Sequence, residues 1–231
     1  MRISIPRSFI KTVLMLAVLN SAAAWAWNDE THIAIARAAG YAKWYNAAGA
    51  DLAKVKAGKT ESNNHYVNNS LDTVVTPEMV LSQAGRYNRI EAKGHLYGAI
   101  ISSLRKYQKA IQDGEYGEYH MGYCAHYVGD LSMPLHNIVY DDYNRTHHRE
   151  MDGIINGEVL ENQSEIDIYP LTIRSEADMA AQVARIANLS IALANRLETE
   201  NRQLTREEAY LQISHSASLL QAILKYAGSL P

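Results

Sequence analysis

The chain has 231 residues, 47% of them apolar and 20% charged, which suits one domain with a real core and excludes a disordered chain. A net charge of −3 argues against steering to nucleic acid by the overall field. A lone cysteine, Cys124, excludes an intramolecular disulfide.

The first 26 residues read as a signal peptide, outside the fold. Arg2, Arg7 and Lys11 form a basic start, Thr12 to Leu19 is a short apolar run, and Ala24-Trp25-Ala26 is a small-x-small cleavage site. The alternative is a membrane anchor or a buried first helix, for which the run is short. Cleavage after Ala26 predicts an exported protein, periplasmic or secreted, whose single domain spans 27–231 and begins at Trp27. It removes three cations and no acid, so the net charge moves from −3 to −6.

From Asn28 to about Tyr45 the pattern is helical, with Asp29 and Glu30 in the first turn, where negative charge suits a helix N-terminus. His32 lies on this helix; it is either a surface histidine or part of a ligand set with the amine and carbonyl of a processed Trp27. Asp51 to Asn64 is polar and reads as mostly irregular, with a turn at Gly58. Asp51 alone would be a loop or cap residue, and His65 alone a satisfied, partly buried histidine. Thr76-Pro77 starts a helix running to about Ile90, and Leu96 to Ile111 forms another, closed by Asp113-Gly114.

Tyr116 to Leu131 reads as the central helix, apolar nearly all round and therefore buried. His126 and Asp130 are one turn apart on it, Pro134 ends it, and His136 follows in the exit turn. His148 and Asp152 repeat the spacing of four. One such pair is most often a surface hydrogen bond, but two pairs flanking a third histidine offer the nitrogen and oxygen donors that zinc takes when thiolate is absent. Two more helices follow Pro170, from Ser175 to Leu197 and from the capping-box run Thr205-Arg-Glu-Glu208 to about Ala227. With no strand, repeat or phosphate loop evident, the fold class is all-α, a bundle of about seven helices.

Taken together, these residues resemble the secreted zinc-dependent phospholipase C and single-strand nuclease superfamily. The likeness rests on an N-terminal Trp27, on Asp51 upstream of Asn64-His65-Tyr66, on His126-Tyr-Val-Gly-Asp130-x-x-x-Pro134-Leu-His136, and on His148-x-x-x-Asp152. The resemblance implies a trinuclear zinc site. Asp51, His65, His126 and Asp130 would hold one ion; the Trp27 amine and carbonyl, His32 and a bridging Asp130 a second; His136, His148 and Asp152 a third. His147 is an adjacent rival for His148, whereas His95, His120 and His215 match no family position. The implied activity is hydrolysis of a phosphodiester by a zinc-bound hydroxide that Asp51 orients or deprotonates, with inversion at phosphorus.

The two branches differ in substrate. The short Trp27-to-His32 interval and Asp152 look like the nucleases; the short His136-to-His148 interval and the absence of cysteine pairs look like the bacterial phospholipases. Glu30 matches an acid that faces choline in the phospholipase branch, and otherwise only complements the helix dipole. The expectation is a phospholipase C acting on phospholipid at a membrane surface, with a single-strand nuclease as the alternative and no protein partner implied. A non-catalytic zinc-binding protein and a plain helical interaction domain are the remaining readings.

Overall fold

The computed structural model describes residues 27–228. The segment expected to be a signal peptide, Met1 to Ala26, lies outside them. The described residues form nine α-helices and no strand: α1 (Asp29–Ala38), α2 (Gly49–Ala57), α3 (Lys59–Ser62), α4 (Pro77–Ala84), α5 (Leu96–Gln112), α6 (Glu118–Ser132), α7 (Asp142–Asp152), α8 (Glu176–Thr199) and α9 (Arg206–Tyr226). Short 3-10 turns occupy Trp44–Ala48, Pro134–Asn137 and Gln163–Glu165. No described helix is long and apolar enough to cross a membrane.

The helix starts follow the local chemistry. Thr76 accepts a hydrogen bond from the Met79 amide ahead of Pro77, Asp141 caps α7 through the Asn144 amide, and Thr205 and Glu208 form a reciprocal capping box. Each such cap stabilises its helix by about 1 kcal/mol.

Three expectations need correction. The first helix ends at Ala38 rather than near Tyr45, with Gly40 at φ +81° just beyond it. From Asp51 to Ser62 the chain is helical rather than irregular, because its Ala, Lys and Leu residues are strong helix formers; only the expected turn at Gly58, at φ +56°, breaks it into α2 and α3. Its helicity escaped a search for apolar periodicity because α2 buries only Ala50 and Asp51. The helix from Thr76 ends at Ala84, well short of Ile90, with Gly85 as its C-cap.

Helix α6 is the axis. It packs against α5, α9 and α8 and the 3-10 turn at 44–48, and Met121, Cys124, Tyr127, Val128 and Leu131 are buried. Two glycines open its other face. A Cβ on Gly122 would stand 2.7 Å from the Asn46 Cβ, and one on Gly129 would stand 2.4 Å from the His32 Nδ1. Only glycine at 129 lets α1 approach closely enough to lay His32 against α6, its ring stacked on His126 at 3.7 Å between centroids.

Candidate metal centre

Four pieces of chain meet at the C-terminal half of α6. His126 and Asp130 stand on its buried face, and Asp51 comes from the first turn of α2. His65 follows α3, and His136 sits in the 3-10 turn that Pro134 begins. The two loops are tied together: the Val67 amide donates to the His136 carbonyl at 2.8 Å, and His136 Nδ1 donates to the His65 carbonyl at 2.6 Å. His148 and Asp152 arrive on one face of α7. The Asn28 amide, donating to the Asp152 carbonyl at 3.1 Å, fixes the start of α1 beside them.

The structure groups these side chains into three triads that could hold metal ions: His32, Asp51 and His126; His65, His126 and Asp130; and His136, His148 and Asp152. Asp130 links them. Its Oδ2 is 2.8 Å from His65 Nδ1 and 3.4 Å from His126 Nε2, while its Oδ1 is 3.4 Å from His32 Nε2 and 3.7 Å from His136 Nδ1. Asp51 Oδ1 lies 3.6 Å from His126 Nε2 and 3.9 Å from His65 Nδ1.

The hydrogen bonds behind the imidazoles set their tautomers. His126 Nδ1 donates to the Ala47 carbonyl at 2.7 Å, and His148 Nδ1 donates to Asn144 Oδ1 at 2.6 Å. With His136 Nδ1 committed to a carbonyl as well, the lone pairs of these rings sit on Nε2. The Nε2 atoms of His136 and His148 then face each other at 3.1 Å, and His126 Nε2 faces His65 Nδ1 at 3.2 Å. The facing lone pairs of His136 and His148 repel unless a cation or a proton lies between them, whereas His65 Nδ1, 2.8 Å from Asp130 Oδ2, is placed to donate a proton.

The carboxylates make the same demand. Asp130 and Asp152 are fully buried and Asp51 nearly so. Both oxygens of Asp51, both of Asp152 and Oδ1 of Asp130 have no hydrogen-bond partner, nor does either ring nitrogen of His32. A buried charge without partners costs several kcal/mol. The only ammonium at hand is Lys54 Nζ, 2.5 Å from Asp51 Oδ1 but outside hydrogen-bond geometry. Anionic oxygens and converging neutral nitrogens are a donor set for divalent cations.

The protonation states of His126, His136, Asp51 and Asp130 suit metal ligands, whereas Asp152 and His65 are shifted toward forms that must lose a proton to bind a metal. Burial pushes His126 down to about 3 and His136 down to about 4, so both are neutral ligands near pH 7. Burial would raise Asp51 and Asp130, but the facing imidazoles, and for Asp51 also Lys54, hold both well below the usual carboxylate range. Burial, with Asp130 and Asp51 nearby, drives Asp152 well above that range. Burial and Lys54 work against a proton on His65, yet hydrogen bonds to Asp130 and Glu61 carry it upward.

Of the expected site residues, His32, Asp51, His65, His126, Asp130, His136, His148 and Asp152 are brought together. Trp27 is fully buried next to Asn28; the expected amine ligand depends on processing at Ala26, outside the described residues. Glu30 is exposed, accepts a hydrogen bond from Asn156 Nδ2 at 3.2 Å and does not line the cavity over the centre. Its neighbour Asp29 feels the centre instead: partial burial and then Asp51 raise its carboxyl. His147 packs on the Tyr143 ring, 4.7 Å between centroids, and joins no triad. His95 is satisfied by Glu91 and by Asn64 Oδ1.

Sequence reasoning passed over Glu61. Its carboxylate is buried, accepts from Tyr127 Oη at 2.5 Å and lies 3.3 Å from His65 Nε2, so it orients the ring whose Nδ1 faces Asp130. The available signal was its spacing of four from His65, once 51–62 is read as helix. Glu61→Ala should weaken binding of the ion on His65 by about 10- to 100-fold, with Glu61→Gln recovering part of the loss. Metal titration against a competing chelator checks this, and equal affinity in all three proteins would exclude the role.

No family model matches the chain, and no curated protein matches it significantly. The fold and the centre define its class on their own: an all-helical protein with a buried His/Asp cluster able to hold several metal ions.

Proposed function

We propose that this protein is an exported zinc-dependent phosphodiesterase, a phospholipase C that cleaves the glycerol–phosphate ester of phospholipids. One observation carries the reading: the convergent donors are reached from a cavity of about 470 Å³, lined by Asp51, His65, His136 and His148. An opening of this volume has room for a small organic substrate as well as for the entry of an ion, as a catalytic site needs.

Nitrogen and carboxylate donors without thiolate suit zinc in a hydrolase. The triad of His136, His148 and Asp152 is the set that the family resemblance implies for one ion, while His32 falls in a triad with Asp51 and His126, its Nε2 also 3.4 Å from Asp130 Oδ1. Bound there, zinc would supply a Lewis acid and lower the pKa of water toward about 7. The protein's own residues do the rest. Asp51, which lines the cavity, is the carboxylate placed to orient or deprotonate the attacking water. Lys54 lines the same cavity, its ammonium paired with Asp51 and close enough to the cavity to meet a phosphate oxygen once a metal takes up the Asp51 charge. Val55, Leu135 and Ile138 make its walls aliphatic, which favours a lipid glycerol over a nucleoside. Water adds its oxygen to phosphorus, the glycerol oxygen leaves with a proton, and the products are diacylglycerol and a phosphorylated head group.

Tyr66 and Tyr140 also line the cavity and could stack a base, which is the observation behind a single-strand nuclease as the second reading. The deciding experiment offers zinc-loaded protein beginning at Trp27 dispersed short-chain phosphatidylcholine and single-stranded DNA side by side, with chelated controls. Chelator-sensitive phosphocholine release is the expected result. Nucleotide release alone would replace the phospholipase reading with the nuclease one. Bound zinc with neither activity would leave a binding protein.

A further inference from the structure

Helix α2 and the turn into α3 carry a surface that the metal centre does not explain. Leu52 is 67% exposed and Val55 84%, two aliphatic side chains standing in water on a helix that buries only Ala50 and Asp51. Lys56 and Lys59 are exposed beside them, and Lys54 is partly so. The two acids of the segment 49–62, Asp51 and Glu61, are both buried. Its outer face is therefore aliphatic and cationic, in a chain whose total charge is −3. Val55 also lines the cavity, so this face forms one side of the mouth. On the wall shared with Tyr140, that residue and Val139 are exposed by 49% and 45%. The adjoining exposed acid, Asp142, is paired with Arg145 at 2.6 Å.

We infer that the face made by Leu52, Val55, Lys56 and Lys59 docks on an anionic lipid surface and brings the cavity mouth to the membrane plane. Apolar side chains that enter the acyl boundary, flanked by lysines that meet lipid phosphates, are what interfacial binding requires. A nucleic-acid track would use the lysines but give the aliphatic residues nothing to stack on. A second copy is disfavoured by charge, since a two-fold pairing would set one cationic face against another. The inference takes its meaning from the phospholipase reading, because a soluble substrate needs no such face.

The test is co-sedimentation of the zinc-loaded protein with vesicles of phosphatidylcholine alone and with roughly one-third phosphatidylglycerol. Binding to the mixed vesicles should be at least about tenfold tighter and should weaken with salt. Lys56→Glu with Lys59→Glu should lower it at least about tenfold, and Leu52→Ser several-fold. None of these three residues lines the cavity, so release of phosphocholine from monomeric short-chain phosphatidylcholine should be unchanged in the variants. Unaltered vesicle binding in the variants would overturn the inference. So would self-association, or single-stranded DNA binding, that depends on these residues in place of vesicle binding. Vesicle binding through this face without lipid hydrolysis would support the surface while removing the phospholipase reading. Hydrolysis of the monomeric substrate without vesicle binding would keep that reading and remove the surface.

Discussion

Asp130→Asn is expected to cost the ion of the His65, His126 and Asp130 triad, to weaken the ion beside His32, and to lower the proposed phosphodiesterase activity at least about a thousandfold, about 4 kcal/mol at the transition state. Asn keeps the size of Asp but loses the charge and turns one oxygen into an NH2, which cannot ligate a metal. Asp130 uses both oxygens: Oδ2 faces His65 and His126, and Oδ1 faces His32. Whichever way the amide turns, one group loses its ligand, and both lose the anion that offsets the metal charge. Asp152→Asn, confined to the triad with His136 and His148, should cost only that ion. Elemental analysis of the two purified variants checks the contrast, with far-UV circular dichroism confirming that both fold. Full metal content in Asp130→Asn would show that its carboxylate does not bridge.

Much of this centre was legible because its ligands sit at helical spacing on the segments with the plainest local signals. His126 with Asp130, and His148 with Asp152, needed only a helix to become neighbours, and α6 and α7 supplied it. Pro134 marked where the central helix stops, and a 3-10 turn does carry His136 out of it. The meeting of Asp51, His32 and His65 around them was legible only through the family resemblance, since no local pattern says which loops touch. Less visible was everything that orients the ligands. The acceptors behind His126 and His136 are backbone carbonyls of Ala47 and His65, which carry no side-chain signature. Glu61 was hidden by the reading of its segment as irregular, and the need for glycine at 129 by the absence of any hint that α1 crosses α6 there. The interfacial face was missed for the same reason as α2. Leu52 and Val55 interrupt a polar stretch without helical periodicity, and only the structure leaves them exposed while Asp51 turns inward.

Chelation is the second perturbation with a large expected effect. A chain with its metal removed keeps Asp51, Asp130 and Asp152 buried, with Lys54 as the nearest ammonium and imidazole lone pairs facing at 3.1 Å. An ion held at a free concentration a thousandfold above its dissociation constant stabilises the fold by about 4 kcal/mol. For a domain of this size each kcal/mol moves Tm by roughly 2–4 °C, so each ion should be worth about 10 °C. The gap between loaded and stripped protein should also depend on pH. In the stripped protein the folded state keeps protons on Asp152 and His65, both shifted upward, and metal binding must release them. His126 and His136, pushed down to about 3 and about 4, have none to release near neutrality. Loading therefore releases protons, and the gap should widen as pH rises from about 5 to about 7. Scanning calorimetry of paired samples across that range, with metal content measured in each, checks both sign and size. A stripped protein that melts at the temperature of the loaded one would mean that the buried carboxylates do not need a cation, and the assignment of the centre would fail with it.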